Sequence, residues 1–360
     1  MSSQGESSKL TVDRSVHVIL PLSQGSGTPS SKDGISARIE RLHRLHGTSL
    51  LASAWKMLLP DALHGQDGRP TSIPTTAASS CFATACTLFH RFYHCVSLTK
   101  HCVWSVAMAS TLLSAKLDDD ISVLVNLSQI ILVYSQLYKR RVLLLSVLED
   151  ETDTSILSAI KNHDSVSFVE CPSAKRQRVL QPVGLSTFGP IYKEWSQVVI
   201  DTENQILRHL GFTLYWIADH HAHKYLDHFV STVNGMDSIQ TKEVARLAWI
   251  YCNDAYRLDV MTRFHSHVIA CAAIVLALLE CGVVPDSGSA SFSSWIISMC
   301  GVDALQNVSD CCNAILGLKQ MDEHNDAVVA AFAFVVSLEP SGSFNDPNSF
   351  IYDQIKQLVK

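Results

Sequence analysis

The chain has 360 residues, enough for two domains of ordinary size. Charged residues make up 17% and hydrophobic residues 47%, against a charged fraction of about 25% in average soluble proteins, so much of the surface must be buried inside the domains or against a partner. The net charge of −6 argues against a chain whose main task is gripping a phosphate backbone, which needs a basic face.

The most apolar run, Val268 to Leu279, stops at Glu280, short of the ~20 residues a bilayer span needs, and reads as a core helix. The first ten residues, MSSQGESSKL, lack the charged-then-apolar pattern of a signal segment, which puts the expectation inside the cell. Eleven cysteines in that setting read as thiols, and none of them forms a C-x-x-C pair that would suggest a zinc ribbon. The sequons at Asn126 and Asn307 are chance matches under the same reasoning.

Residues 1–33 are rich in Ser, Gly and Pro and read as a flexible arm that joins the fold near Pro29 to Gly34. Helical spacing begins at Ile35 and continues through Leu42, Leu50, Leu51 and Trp55 to Pro60, and glycines and prolines between Asp61 and Pro74 mark a loop. A helix over about Thr75 to Tyr93 follows. Between Cys102 and Ala115 there is no charged residue, the pattern of a helix buried on all sides, and it ends at Lys116. Helical signal resumes from Ile121 to Leu137. From Lys139 to about Pro190 an acidic run at Glu149 to Glu151, a basic cluster at Lys175, Arg176 and Arg178, and Pro172, Pro182 and Pro190 read as a long solvated insertion. The next helix, about Ile191 to Leu210, stops at Gly211. Five more helix-length segments follow: about Asp219 to Val233, Gln240 to Tyr256, Ser266 to Cys281, Phe292 to Met299 and Asp303 to Leu316.

On the helix ending at Gly211, the residues Ile191, Trp195, Val198, Val199, Thr202, Ile206 and Leu210 form a stripe that should face the core. Ile200, Glu203 and Leu207 lie beside that stripe and extend the apolar surface past what one domain needs, with a carboxylate in its middle. Such a carboxylate can accept backbone N–H bonds from a docked chain, and the ammonium of Lys116 can donate to carbonyls. The plain reading of the same residues is a snorkelling lysine at a helix end and a solvated helix-edge glutamate.

Five stretches, in order along residues 29 to 285, resemble the cyclin family, within it the transcription and splicing group, and most closely the L-type cyclins. They are PSSKDGI from Pro29, LFHRFY from Leu88, VAMA from Val106 leading to Lys116, and ENQILRHLGF from Glu203. The fifth is WIYCND from Trp249, followed by RLDVMTRF from Arg257 and the IACA helix from Ile269. The resemblance implies an all-α fold of two tandem five-helix cyclin boxes: a flexible arm over 1–33, a first box over 34–215 carrying insertions at about 60–74 and 139–189, a second box over 216–318, and a helical extension over 319–360. It further implies a nuclear regulatory subunit without catalysis, metal, cofactor, membrane or direct nucleic-acid contact, forming a heterodimer with a cyclin-dependent kinase linked to transcription by RNA polymerase II and to pre-mRNA splicing. The kinase-binding residues implied are Lys116, Glu203, Leu117, Ile200, Leu207 and Phe212. Three features depart from the family pattern: Leu117 and the acidic run Asp118, Asp119 and Asp120 after the lysine, the two insertions, and the lack of an Arg/Ser-rich tail.

Other chemistries fit less well. The run Asp118 to Asp120 invites a class I terpene synthase binding Mg²⁺, but Ser122 stands where a further acid is needed, and Asn253-Asp254 is followed by Arg257 where a hydroxyl ligand should stand. Cys86, His90 and His94 fall along one helix face as three metal ligands would, and are read instead as packing or surface residues; His220, His221 and His223 are read as surface composition. No phosphate-binding glycine loop or G-x-S-x-G elbow occurs. A cyclin-fold general transcription factor of the B type should carry a zinc ribbon and a basic box surface, and this chain has neither.

Overall fold

The computed structural model describes residues 27–59, 75–150 and 188–323, apart from 213, 215–216, 218–220, 234, 284–287 and 302–303. Among the described residues the fold is all-α, with no strand and twelve α-helices. In chain order they are α1 (Pro29–Lys32), α2 (Ala37–Leu58), α3 (Thr75–Cys95), α4 (Val103–Lys116), α5 (Asp119–Ser122), α6 (Leu127–Asp150), α7 (Pro190–Leu210), α8 (His223–Ser231), α9 (Ser238–Arg257), α10 (Ser266–Glu280), α11 (Gly288–Cys300) and α12 (Ala304–Glu323), with a 3-10 turn at Asp259–Thr262. No helix among these residues is long and apolar enough to cross a membrane.

Two helices organise the rest. Every residue of α4 from Val103 to Ala115 is buried, and α2, α3, α6 and α7 pack around it. Every residue of α10 from Val268 to Leu278 except Val275 is buried, and α8, α9, α11 and α12 pack around it. Small side chains and an absence of charge over these stretches let neighbours approach from all sides, which is how a helix apolar all round becomes a core.

The two groups share one continuous hydrophobic core. Helix α3 packs on α8, α9 and the 3-10 turn, and α2 on α9. Polar contacts stitch the same seam: Thr48 Oγ1 donates to the Arg257 carbonyl at 3.2 Å, Trp249 Nε1 to Ser79 Oγ at 3.1 Å, and Ser80 Oγ meets His221 Nε2 at 2.9 Å. The fully buried His90 ring lies against the backbone of Tyr256 and Arg257, so neither it nor the fully buried Cys86 is at the surface.

Two expectations are corrected. The arm does not extend to residue 33: from Thr28 the chain is docked. Thr28 caps α1 by accepting from Ser31 N, with Pro29 at the first helical position, where its missing N–H costs nothing. Ser30 is fully buried, its Oγ accepting from Leu98 N at 3.1 Å, Thr28 Oγ1 donates to Glu40 Oε2 at 2.5 Å, and Asp33 Oδ2 accepts from Thr99 Oγ1 at 3.0 Å. The second correction concerns α6, which runs past Leu137 to Asp150. Its continuation, KRRVLLLSVLED, holds neither Gly nor Pro and is rich in strong helix formers, so the charges expected to mark a loop start within a helix. Residues 151–187 of the expected insertion, the whole of the 60–74 insertion, and residues 324–360 lie outside the described residues.

Candidate functional site

Helix α4 ends where its apolar run ends. Lys116 is the first exposed residue after thirteen buried ones, and Leu117 N closes the turn on the Leu113 carbonyl at 3.0 Å. The acidic run that follows is used locally: Asp118 caps α5, its Oδ1 accepting from Ile121 N at 3.2 Å, and its Oδ2 accepts from the Cys81 thiol at 3.8 Å. Asp119 and Asp120 are exposed in the first turn of α5.

Helix α7 lies against α4. Pro190 begins it, and Gly211 ends it in the left-handed region at φ 76°, the conformation that glycine tolerates. The inward stripe matches the expected one: Val199, Thr202 and Ile206 are buried, and Trp195, Val198 and Leu210 half-buried; the Ile191 side chain lies outside the described ones.

The two charged residues singled out from sequence meet each other. Lys116 Nζ donates to Glu203 Oε1 at 2.5 Å, although 87 residues separate them. They are unequal partners, with side-chain exposures of 55% for Lys116 and 10% for Glu203. Glu203 therefore sits deeper than the helix-margin position expected of it. The cause is the pairing: a carboxylate is costly to bury alone, and the ammonium reaching over from the end of α4 compensates it. One ammonium N–H is used in this bond, so two donors on Lys116 and the second oxygen of Glu203 remain as capacity for a docked backbone.

Two apolar side chains of the same segment are exposed. Ile200, one turn before Glu203, is 39% exposed, and Phe212, just past the end of α7, is 66% exposed. Phe212 is the only described non-glycine residue with positive φ, 61°. For a bulky side chain that region is an outlier costing roughly 1–2 kcal/mol, held here by Phe212 N donating to the Leu207 carbonyl at 2.9 Å. Leu117 and Leu207 are half-buried against the core and offer less surface than Ile200 and Phe212. Sequence reasoning missed Val123 and Leu124, which follow α5 and are 85% and 43% exposed. Two adjacent aliphatic residues at the end of an acid-capped single turn were the available signal.

No family model matches the chain. Among curated proteins it is 26% identical over 268 residues to human Cyclin-L1, covering 74% of this chain and 38% of that protein. To rice Cyclin-L1-1 it is 25% identical over 258 residues, 71% of this chain and 45% of that one, and to mouse Cyclin-L2 24% identical over 259 residues, 72% and 38%. The aligned part thus spans less than half the length of these relatives. With an all-α fold and similarity to Cyclin-L1 and Cyclin-L2 at about 25% identity over 70% of its length, the chain is an L-type cyclin-like protein.

Proposed function

We propose that the chain is a regulatory subunit that binds a cyclin-dependent kinase through the face carrying Lys116, Glu203, Ile200 and Phe212, with Leu117 and Leu207 behind it. The observation that carries this reading is the Lys116–Glu203 pair, a polar centre with unused hydrogen-bonding capacity set in exposed apolar surface. An interface of this type, with a desolvated polar anchor among apolar contacts, is where binding energy concentrates. In this reading residues 34–215 and 216–318 are two cyclin boxes, and the protein works in the nucleus with a kinase linked to transcription and splicing. Its action is conformational: by binding the active arrangement of the kinase better than the inactive one, it shifts the population toward activity. Catalysis belongs to the kinase.

The test is co-purification of kinases from the native cell with the tagged chain, and phosphorylation of a polymerase-tail peptide by what is recovered. Wild type and the exposed control Lys193→Ala recover kinase; Ile200→Asp, which desolvates a charge at the interface, does not, while circular dichroism stays unchanged. Equal recovery by Ile200→Asp and by Lys116→Ala would remove this face from the proposal. Failure of the wild-type chain to bring down any kinase would remove the kinase reading itself.

A further inference from the structure

The second helix group gathers thiols: Cys252 on α9, Cys271 on α10, Cys300 at the end of α11, and Cys311 and Cys312 on α12. Two of them grip the same stretch of α10. Cys300 Sγ donates to the His267 carbonyl at 3.6 Å, and Cys312 Sγ to the Ala272 carbonyl at 3.6 Å. Helical side chains lean back over the preceding turn, so the Cys271 side chain covers the turn that His267 begins. Cys300 is anchored to that turn, and the thiols of Cys271 and Cys300 are hydrogen-bonded to each other.

The pair is asymmetric. Cys271 is fully buried, whereas Cys300 is half-buried at the end of its helix. The bond from Cys271 holds the Cys300 thiol below its ordinary range, and that bond together with burial pushes Cys271 up. A half-buried thiol anchored to the turn preceding Cys271 thus lies beside one that is hidden, the arrangement of an attacking and a resolving cysteine. The neighbouring thiols lack one feature or the other: burial pushes Cys312 up to about 12, and Cys252 and Cys311 are fully buried and raised.

We propose that Cys271 and Cys300 are a peroxide-sensitive pair that closes to a reversible disulfide tying α10 to α11. The Cys300 thiolate attacks hydrogen peroxide; an S–O bond forms, the O–O bond breaks, and hydroxide leaves, giving a sulfenic acid. The Cys271 sulfur then attacks the Cys300 sulfur, the S–S bond forms, and the sulfenic oxygen departs as water with the Cys271 proton. Two thiols are oxidised, one peroxide is reduced, and two waters result. The proposal stands on the packing around α10 and does not depend on the kinase reading.

The full chain, reduced and then freed of reductant, is titrated with hydrogen peroxide, capped with iodoacetamide, digested without reduction and read by mass spectrometry. The expected product is a peptide linked through Cys271 and Cys300, released by dithiothreitol and absent from Cys300→Ser. In Cys271→Ala the oxidation stops at Cys300, which is then labelled by dimedone. Full alkylation of Cys300 after peroxide treatment of the wild type, or a link from Cys300 to Cys312 in place of Cys271, overturns the proposal. Wild type and Cys300→Ser decide the matter even where Cys271→Ala fails to fold.

Discussion

The helix groups around α4 and α10 have a similar plan and leave their cores in opposite ways. The core around α4 is aromatic: Phe89 and Tyr93 meet edge to face at 5.0 Å, Phe92 and Tyr93 at 5.5 Å, and Trp104 and Tyr134 at 6.2 Å. That around α10 keeps Phe229, Tyr251 and Tyr256 on α8 and α9 but is otherwise filled with aliphatic side chains and the buried thiols of Cys252, Cys271, Cys311 and Cys312. Where α4 emerges it presents a cation paired with a carboxylate and bordered by exposed Ile200 and Phe212. Where α10 emerges it presents Leu279, 69% exposed, and Glu280, which accepts a hydrogen bond from the Tyr251 hydroxyl. A common scaffold thus yields one end with spare donors on Lys116, the end proposed for docking, and one whose Glu280 is bonded within its own group.

The comparison breaks most severely if the α4 group is unlocked from inside. Arg44 is buried, donating to Glu40 Oε1 through Nε at 3.1 Å and Nη2 at 2.7 Å, and to the carbonyls of His90 and Tyr93 at 3.2 and 2.9 Å. Arg44→Ala leaves the buried Glu40 carboxylate with only the Thr28 hydroxyl and takes a donor from two carbonyls, and is expected to cost about 3–5 kcal/mol, read as a fall in the denaturant midpoint. Glu280→Gln, the polar change at the end of α10, should move that midpoint little.

The next effect is on partner binding. Glu203→Ala and Lys116→Ala should each weaken kinase recovery on the order of a hundredfold, the consequence of ~2–5 kcal/mol lost when a buried polar partner is left unpaired. They differ in the free protein: Lys116→Ala strands the nearly buried Glu203 carboxylate and should lower stability by about 1–3 kcal/mol, while the double variant with Glu203→Ala regains part of that loss. A titration in urea of the four proteins gives the coupling, and additive effects would show that the pair does not act as a unit.

Much of this was legible beforehand, and the boundary is physical. Helix α4 announced itself because thirteen consecutive residues without a charge can only be buried, and α7 because Pro190 and Gly211 bracket a stripe with helical period. Lys116 and Glu203 were each visible, but their bond was not, since periodicity fixes a face of one helix and carries nothing about the distance between two. The depth of Glu203 was misjudged for the same reason. Thr28 to Asp33 looked like an arm because its Ser- and Pro-rich composition matches unstructured chain, yet those short side chains serve as a cap and as acceptors for Leu98 and Thr99. Val123 and Leu124 escaped notice because two aliphatic residues after a polar turn are ordinary in sequence and unusual only once their exposure is known.

Acid should weaken the fold through its buried histidines. Burial holds His43 and His223 at about 4, and burial with the nearby Arg44 charge holds His90 at about 3, all from an ordinary 6.5. The unfolded chain binds these protons between pH 6.5 and about 4 while the folded chain refuses them, so their contribution to stability is complete above 6.5 and declines as pH falls through that window. Two of the rings belong to α2 and α3 and one begins α8. Melting temperature should therefore drop steadily from pH 7 to 4.5, and His43→Phe should flatten the slope.

The smallest effect separates stability from function at one position. Phe212→Gly relieves the positive φ and should stabilise the free protein by up to roughly 1 kcal/mol, offset in part by the freedom glycine gains when unfolded. The same change deletes the most exposed ring of the proposed face, so kinase recovery should fall as melting temperature rises. Parallel changes in both would show that Phe212 acts through the fold.

The seam between the groups has a consequence for dissection. Because α3 buries His90 and Cys86 beside α9 and the 3-10 turn, a fragment ending near residue 215 would leave that side of α3 without its cover, wet and adhesive. Neither fragment should fold as an independent module. Calorimetry on the intact chain should record one heat-absorption peak, and fragments prepared separately should regain order only when mixed.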